Sequence, residues 1–565
     1  MNFLSKSLVL LLALIVFAPA LAKSEKCHDK EEIVKYVQGG AAPGGNGSRK
    51  HPFASLADAE TATWNVLIVL SSPFALDGGI NLTSGQKLIG EEDPTGIVLS
   101  PTQPTITNSS NATNNGHGAV VNGNVTIKNI YFKNTYASAI NYDNAENLTV
   151  LDVLATGYNS GGGIKSGING TCQNPGNTHI EHVIIRNNVA GTGSFAGIDD
   201  VPHVHRDLTV CNCEFSGLTN NGIYTQPTTA AASSSVIIKD CYLHDFTGAG
   251  AGLVCQPINA TETVLLKNSI FTNVGIVFGC EIVLEARESD LKICVDSCSF
   301  TETTTPNFVD TIALFSFNSL CNITAKNSLV TTGNAFFYNS RIEDNEDTQP
   351  STVQEKFCGN TVTAQGFYSV TNTSNFFPVE RAHITDNLFI GNTVFQINNN
   401  PNKWALLDII AEHNCFTGTT GSVAFRTIAN KNIGSVIYNA HENSFVSFTR
   451  DITDAGSNVN YLVSKNFWGP TTSCMTSADC IPPYQICKGG MCLGPTVSSN
   501  GSGYIDASHP LAQSIQCPHG CCNVQSKTPL QQTIELSDEQ RHEMIEKSRE
   551  QIRARYYQTK ASQVP

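Results

Sequence analysis

The sequence predicts a parallel β-helix of about 12 to 13 coils, and three observations predict it. A short pattern recurs with a mean spacing of about 28 residues: a few apolar or β-branched residues, one variable residue, then Asn or Asp. The segments that carry it are rich in Val, Ile and Thr, are separated by Gly/Asn turns and lack helical periodicity. Only 15% of the residues are Asp, Glu, Lys or Arg, against about 25% in ordinary globular chains. Low charge is what stacking demands, because most of each strand faces neighbouring coils or core. With 40% hydrophobic residues the chain can bury such a core, which excludes wholesale disorder.

From the N-terminus, residues 1–22 read as a secretory signal: Lys6, the apolar run Leu8 to Phe17, then Ala20-Leu21-Ala22 as a cleavage site. The run is too short for a bilayer, which needs about 20 helical residues. No second run is long enough, and the end Lys560 to Pro565 is no hydrophobic anchor signal, so the expected product is secreted, extracellular and without a transmembrane anchor. Eleven N-x-S/T sequons, at Asn46, Asn81, Asn108, Asn111, Asn124, Asn147, Asn169, Asn259, Asn322, Asn372 and Asn500, agree with a glycoprotein. All 19 cysteines follow the cleavage site; an exported chain pairs most of its thiols, and an odd count leaves at least one over. A net charge of −14 with no Lys/Arg tract argues against nucleic acid or anionic membrane as a partner.

The repeat reads clearly at Val125-Thr126-Ile127-Lys128-Asn129, Leu148 to Asp152, Val183 to Asn187, Leu208 to Asn212, Val236 to Asp240 and Val264 to Asn268. Weaker copies place the polar mark at Ser297, Asn327, Asn360, Asn387, Asn414, Asn443 and Asn466. A leucine-rich repeat shares the period, but its Leu-x-x-Leu-x-Leu consensus is missing. Strands on successive coils stack about 4.8 Å apart, and an Asn at one inward turn can hydrogen-bond backbone and its neighbours along the stack.

His51-Pro52-Phe53-Ala54-Ser55-Leu56-Ala57-Asp58-Ala59 is similar to the segment that opens the right-handed parallel β-helix domains of the pectin-lyase-like superfamily. Asn466-Phe467-Trp468-Gly469 is similar to the motif that often closes them, so the resemblance covers residues 45–470. It implies a right-handed coil and leaves function open, because that fold hosts lyases, hydrolases, epimerases, adhesins and inert wall proteins. Pectin-cleaving hydrolases of the superfamily carry Asn-Thr-Asp, Asp-Asp, Gly-His-Gly and Arg-Ile-Lys in that order. This chain has Gly116-His117-Gly118, Gly163-Ile164-Lys165 and Asp199-Asp200, in another order and without Asn-Thr-Asp, so those catalytic roles do not carry over.

Beyond Trp468 the spacing Cys474-x5-Cys480-x6-Cys487-x4-Cys492 reads as a disulfide-stapled module over 471–525, too short to build a core. Zinc fits less well without a C-x2-C pair. Ser537-Asp538-Glu539-Gln540 fits a capping box, and residues 536–557 read as a solvated, charged helix. Within the coils, Cys213 and Cys241 each follow a marked residue. That register brings them near the ~4.4–6.8 Å Cα separation of a disulfide, so a bridge between coils is expected.

The richest candidate site is Gly197 to Asp207. Counting from the marks aligns Lys165, Asp199 and Tyr224 on successive coils, each after an inward Ile164, Ile198 or Ile223, so alternation sends them outward. With Asp200 they form a candidate catalytic surface, flanked by His203, His205 and Arg206 as binding residues. Lys or Tyr beside carboxylates can supply acid and base, and Asp199 with Asp200 can hold Ca²⁺, though no cofactor is required. Two functions follow. The favoured one is an exported glycoprotein whose β-helix binds carbohydrate or serves as a structural component of a wall or extracellular matrix. The alternative is a polysaccharide lyase, epimerase or hydrolase using the Lys165/Asp199/Asp200/Tyr224 surface.

Overall fold

The structure, a computed structural model, describes residues 32–91, 103–158, 167–186, 196–248, 250–274, 280–302, 309–341, 351–372, 379–399, 406–429, 435–446, 448, 450–454, 459–462, 466–468, 486–488, 491–493, 497–499 and 504–506. The signal segment, Lys165, Asn187, Cys474, Cys480, Asn500 and the charged C-terminal segment lie outside them. No helix among the described residues is long and apolar enough to cross a membrane.

Apart from one antiparallel hairpin, the described strands pair in parallel from coil to coil, in a solenoid of about 12 turns that is 2% helical. In the middle of the chain every coil carries three strands, exemplified by Ala196–Asp200, Arg206–Cys211 and Glu214–Ser216. These pair with Asn221–Thr225, Ser233–Lys239 and Tyr242–His244 respectively. Three ladders result: the first contains Arg206–Cys211, the second Glu214–Ser216 and the third Ala196–Asp200. In three later coils one long strand, Thr361–Asn372, Leu388–Asn399 or Cys415–Ala429, serves the second and third ladders together. The one α-helix among the described residues, Leu56–Glu60, is capped by Ser55, whose Oγ accepts from the Asp58 amide at 3.1 Å, and it buries Leu56 and Ala59.

The polar mark of the repeat has a conformational cause. Asn129, Asp152, His182, Asn212, Asp240, Asn268, Ser297, Asn327, Asp386, His413 and Glu442 all have φ between 49° and 58°, and Gly359 has φ 67°. This left-handed turn joins the first ladder to the second, and Asn and Asp tolerate it best after Gly. The turn in the third of these coils falls on His182, 30 residues from both Asp152 and Asn212, and not on Asn187. Val183 to Arg186 matches the pattern by composition alone: Ile184–Arg186 belongs to the second ladder.

The next residue of each turn points inward and makes a second column. It begins apolar with Ile130, Val153 and Val183, passes through Cys213, Cys241, Ser269, Cys298 and Ser328, and ends in Asn360, Asn387, Asn414, Asn443 and Asn466, all buried. The late marks read from the sequence therefore belong to this column, one residue past the turn. Here the asparagines form a ladder. The amide of Asn387 donates to Asn414 Oδ1 at 2.8 Å and that of Asn414 to Asn443 Oδ1 at 2.9 Å. Asn414 Nδ2 reaches Asn443 Oδ1, Ile384 O and Glu412 O at 2.8–2.9 Å.

Cys213 and Cys241 do occupy adjacent rungs, but both are free thiols, which corrects the expected bridge. Each Sγ is turned to backbone carbonyls, Cys213 to Cys211 O at 3.1 Å and Cys241 to Lys239 O at 3.3 Å. They act as the hydroxyls do further along, and burial pushes the Cys213 thiol well up. The sequon at Asn108 is also corrected: it is buried, and its Nδ2 donates to Thr113 O and His117 O at 2.9 and 2.8 Å, leaving no room for a glycan. Asn46, Asn81, Asn111, Asn147 and Asn259 are exposed.

Past Trp468 the parallel ladders continue, as Val497–Ser499 pairs with Arg450–Asp454 and Tyr504–Asp506 with Val459–Leu462. Between them Ile486–Lys488 and Met491–Leu493 form an antiparallel hairpin with Cys487 and Cys492 as register partners.

Candidate functional site

Alternation on the third ladder places Ile140, Ile168, Ile198, Ile223, Leu253 and Ile282 in the core. Their neighbours Asn141, Asn169, Asp199, Tyr224, Val254 and Val283 form one outward column in register on successive coils. The alignment of Asp199 with Tyr224 is present. The register partner on the preceding coil is Asn169, and Lys165 lies outside the described residues.

This face changes character along the axis. At one end Asp143, Asn169 and Asp199 are half-buried. Asn141 Nδ2 donates to Asp143 Oδ2 at 3.1 Å, and Asp143 Oδ1 accepts the Thr171 amide at 2.6 Å. Further along, the Tyr224 hydroxyl donates to Gln256 Oε1, which also accepts from Gln226 Nε2 at 2.7 Å. Gln256 Nε2 donates to Glu285 Oε2 at 2.9 Å, and Arg287 holds Glu285 Oε1 through Nε at 2.7 Å and Nη2 at 2.6 Å. The Arg287 guanidinium lies 4.4 Å from the centre of the Phe317 ring. Beneath this network Tyr224, Val254, Val283, Ala313, Phe315, Phe317 and Tyr338 form a buried apolar cluster separate from the core.

The other predicted residues do not join this face. Asp200 is fully buried on the core side and accepts the Tyr142 hydroxyl at 2.8 Å. Adjacent residues on a strand point to opposite faces, so Asp199 and Asp200 cannot share a Ca²⁺. Burial raises the Asp200 pKa, with Arg206 opposing it. Arg206 is also 0% exposed and is not a surface binding residue. Its Nη1 donates to Ala145 O, Glu146 O and Asn174 O at 3.0–3.3 Å, and its Nη2 to Thr178 Oγ1 at 2.7 Å. Ser234 and then Glu262 follow Arg206 in the same inward column. The guanidinium turns away from both, and burial pushes the Glu262 carboxyl up to about 8.

His203 and His205 sit in the turn after the third ladder. His203 Nδ1 pairs with Thr228 Oγ1 at 3.2 Å, and burial lowers its pKa, which favours the neutral imidazole; His205 Nδ1 lies 2.6 Å from Ser233 Oγ. Among the described residues no three His, Cys, Asp or Glu side chains converge as metal ligands. Counting from the marks misses Gln226, Gln256 and Glu285 because the intervening turns differ in length. A signal was present in Val201-Pro202, Gln226-Pro227 and Gln256-Pro257: the prolines are in register, with Thr228 N donating to Pro202 O, Ile258 N to Pro227 O and Arg287 N to Pro257 O.

No protein-family model and no curated protein matches the chain. Among solved structures it is similar to DFA-IIIase from Arthrobacter chlorophenolicus A6, with 10% identity, a TM-score of 0.28 and coverage of 65% of this chain and 90% of that one. It is also similar to an alginate lyase from Paenibacillus sp. str. FPU-7, with 11% identity, a TM-score of 0.22 and coverage of 64% and 95%. The fold itself is defined by the parallel register of the three ladders.

Proposed function

We propose that this chain is an exported, carbohydrate-active β-helix protein that engages an extended polysaccharide along the outward face of the third ladder. The observation that carries the reading is the register Asn141–Asn169–Asp199–Tyr224 on four successive coils. Stacked coils repeat side chains about 4.8 Å apart, so amide and carboxylate groups follow one another along the axis as hydroxyls do along a sugar chain. Asp199, half-buried on this face, is the group for proton transfer, and Tyr224 lies on the adjacent coil with its hydroxyl held by Gln256. Asp199 and Glu285 are three coils apart, about 14 Å at the coil spacing, too far for a glycosidase pair, whose carboxyls stand ~5–9.5 Å apart.

A second reading, binding without turnover, is favoured by the Glu285 carboxylate, tied by Gln256 and Arg287 as a structural group would be. Incubation with a polysaccharide panel, following new reducing ends and the ultraviolet absorbance of unsaturated products, separates the two. Turnover that falls by about 10²–10⁴ in Asp199→Asn, the range for a positioned acid or base, supports the enzyme. Turnover unchanged in Asp199→Asn and Tyr224→Phe sinks the assignment, and retention of polymer without product favours binding.

A further inference from the structure

We infer that the polysaccharide engaged by the third-ladder face is uncharged, and that a polyuronate is rejected there; this rests on the carbohydrate reading above. The described residues of that face from Asn141 to Ala260, with the turns that flank its strands, are 141–147, 167–175, 196–205, 217–232 and 250–260. They contain no Lys and no Arg, against Asp143, Glu146 and Asp199 outside the core.

The neighbouring cations are committed elsewhere. Arg206 is buried on the core side, bonded to three backbone carbonyls and Thr178. Arg287 is held through Nε and Nη2 by Glu285 Oε1 and covers Phe317. His203 is kept toward its neutral form by burial. Asp143 and Asp199 are half-buried on the face itself, and Glu146 is exposed at its edge.

A polymer with one carboxylate per sugar, laid along this column, meets like charge on at least two coils and no described cation free to receive it. A neutral chain meets hydrogen-bonding groups suited to hydroxyls at the half-buried Asp143, Asn169 and Asp199.

The test uses matched polymers on the full chain: methyl-esterified against de-esterified polygalacturonate, and hydroxyethylcellulose against carboxymethylcellulose. Affinity electrophoresis or calorimetry at low and physiological salt reads the difference. The uncharged member should bind about tenfold tighter at low salt, the scale of two like-charge contacts in water, with a gap that narrows as salt rises. Asp143→Lys with Glu146→Lys should reverse the preference. A carboxylated member bound as tightly as its neutral counterpart overturns this inference and leaves the carbohydrate reading standing. Retention of no member of either pair, nor of neutral galactan or mannan, overturns both.

Discussion

Replacing Asn414 with Ala strikes the middle of the asparagine ladder. Its Oδ1 accepts from the Asn387 amide at 2.8 Å and Asn387 Nδ2 at 3.0 Å, while its Nδ2 serves Ile384 O, Glu412 O and Asn443 Oδ1. All of these asparagines are buried. The alanine leaves the Asn387 amide and the Ile384 carbonyl without these partners, and each orphaned buried group costs about 1–3 kcal/mol. With the small cavity added, the loss should be about 3–6 kcal/mol. Ser328→Ala is the internal control: its Oγ accepts one amide, from Cys298 at 3.3 Å, and donates to Lys326 O at 3.0 Å, so about 1–2 kcal/mol is expected. Solenoid stability is close to a sum of nearest-neighbour terms, so hydrogen exchange should accelerate first in the strands flanking residues 387 and 443. Urea titration measures the global shift. Equal losses for Asn414→Ala and Ser328→Ala, or accelerated exchange spread evenly along the chain, would show that the ladder contributes no more than ordinary burial.

Two further outcomes follow from the interior. The Glu262 carboxyl ionises near pH 4.5 when unfolded and is pushed up to about 8 when folded, so its contribution to stability is complete below pH 4.5 and is lost as pH rises to about 8. The slope should be a little over 1 kcal/mol per pH unit, roughly 5 kcal/mol across that window at most. Glu262→Gln should flatten the pH dependence of unfolding there, and an unchanged profile refutes the assignment. Peptide mapping of unreduced protein should recover Cys213 and Cys241 as free thiols after unfolding in alkylating agent, whereas a peptide linking the two would restore the bridge expected from spacing.

The coil repeat is legible in the sequence because one backbone requirement, a left-handed residue at each turn, selects Asn and Asp often enough to leave a period. It fades where other residues meet the requirement: His182, His413 and Glu442 adopt the same conformation without the preferred side chain. The site is less legible for two physical reasons. Asp199 and Asp200 look like a pair in one dimension and are divided by strand alternation, and Arg206 has the chemistry of a ligand-binding residue but serves buried carbonyls. The Tyr224, Gln256 and Glu285 network depends on turns of unequal length, which only the register aligns.

The left-handed turns also give the solenoid a direction. The amide of Asn129 donates to Leu151 O, that of Asp152 to Glu181 O, that of His182 to Cys211 O and that of Asn212 to Lys239 O. At every one of these turns the donor belongs to the earlier coil and the acceptor to the later one. Two residues further on the sense reverses, as Leu154 N donates to Ile130 O and Ile184 N to Val153 O, so the edge of each finished coil carries an alternation of waiting amides and carbonyls. That alternating edge is a template that accepts one register and is used up as the next coil fills it.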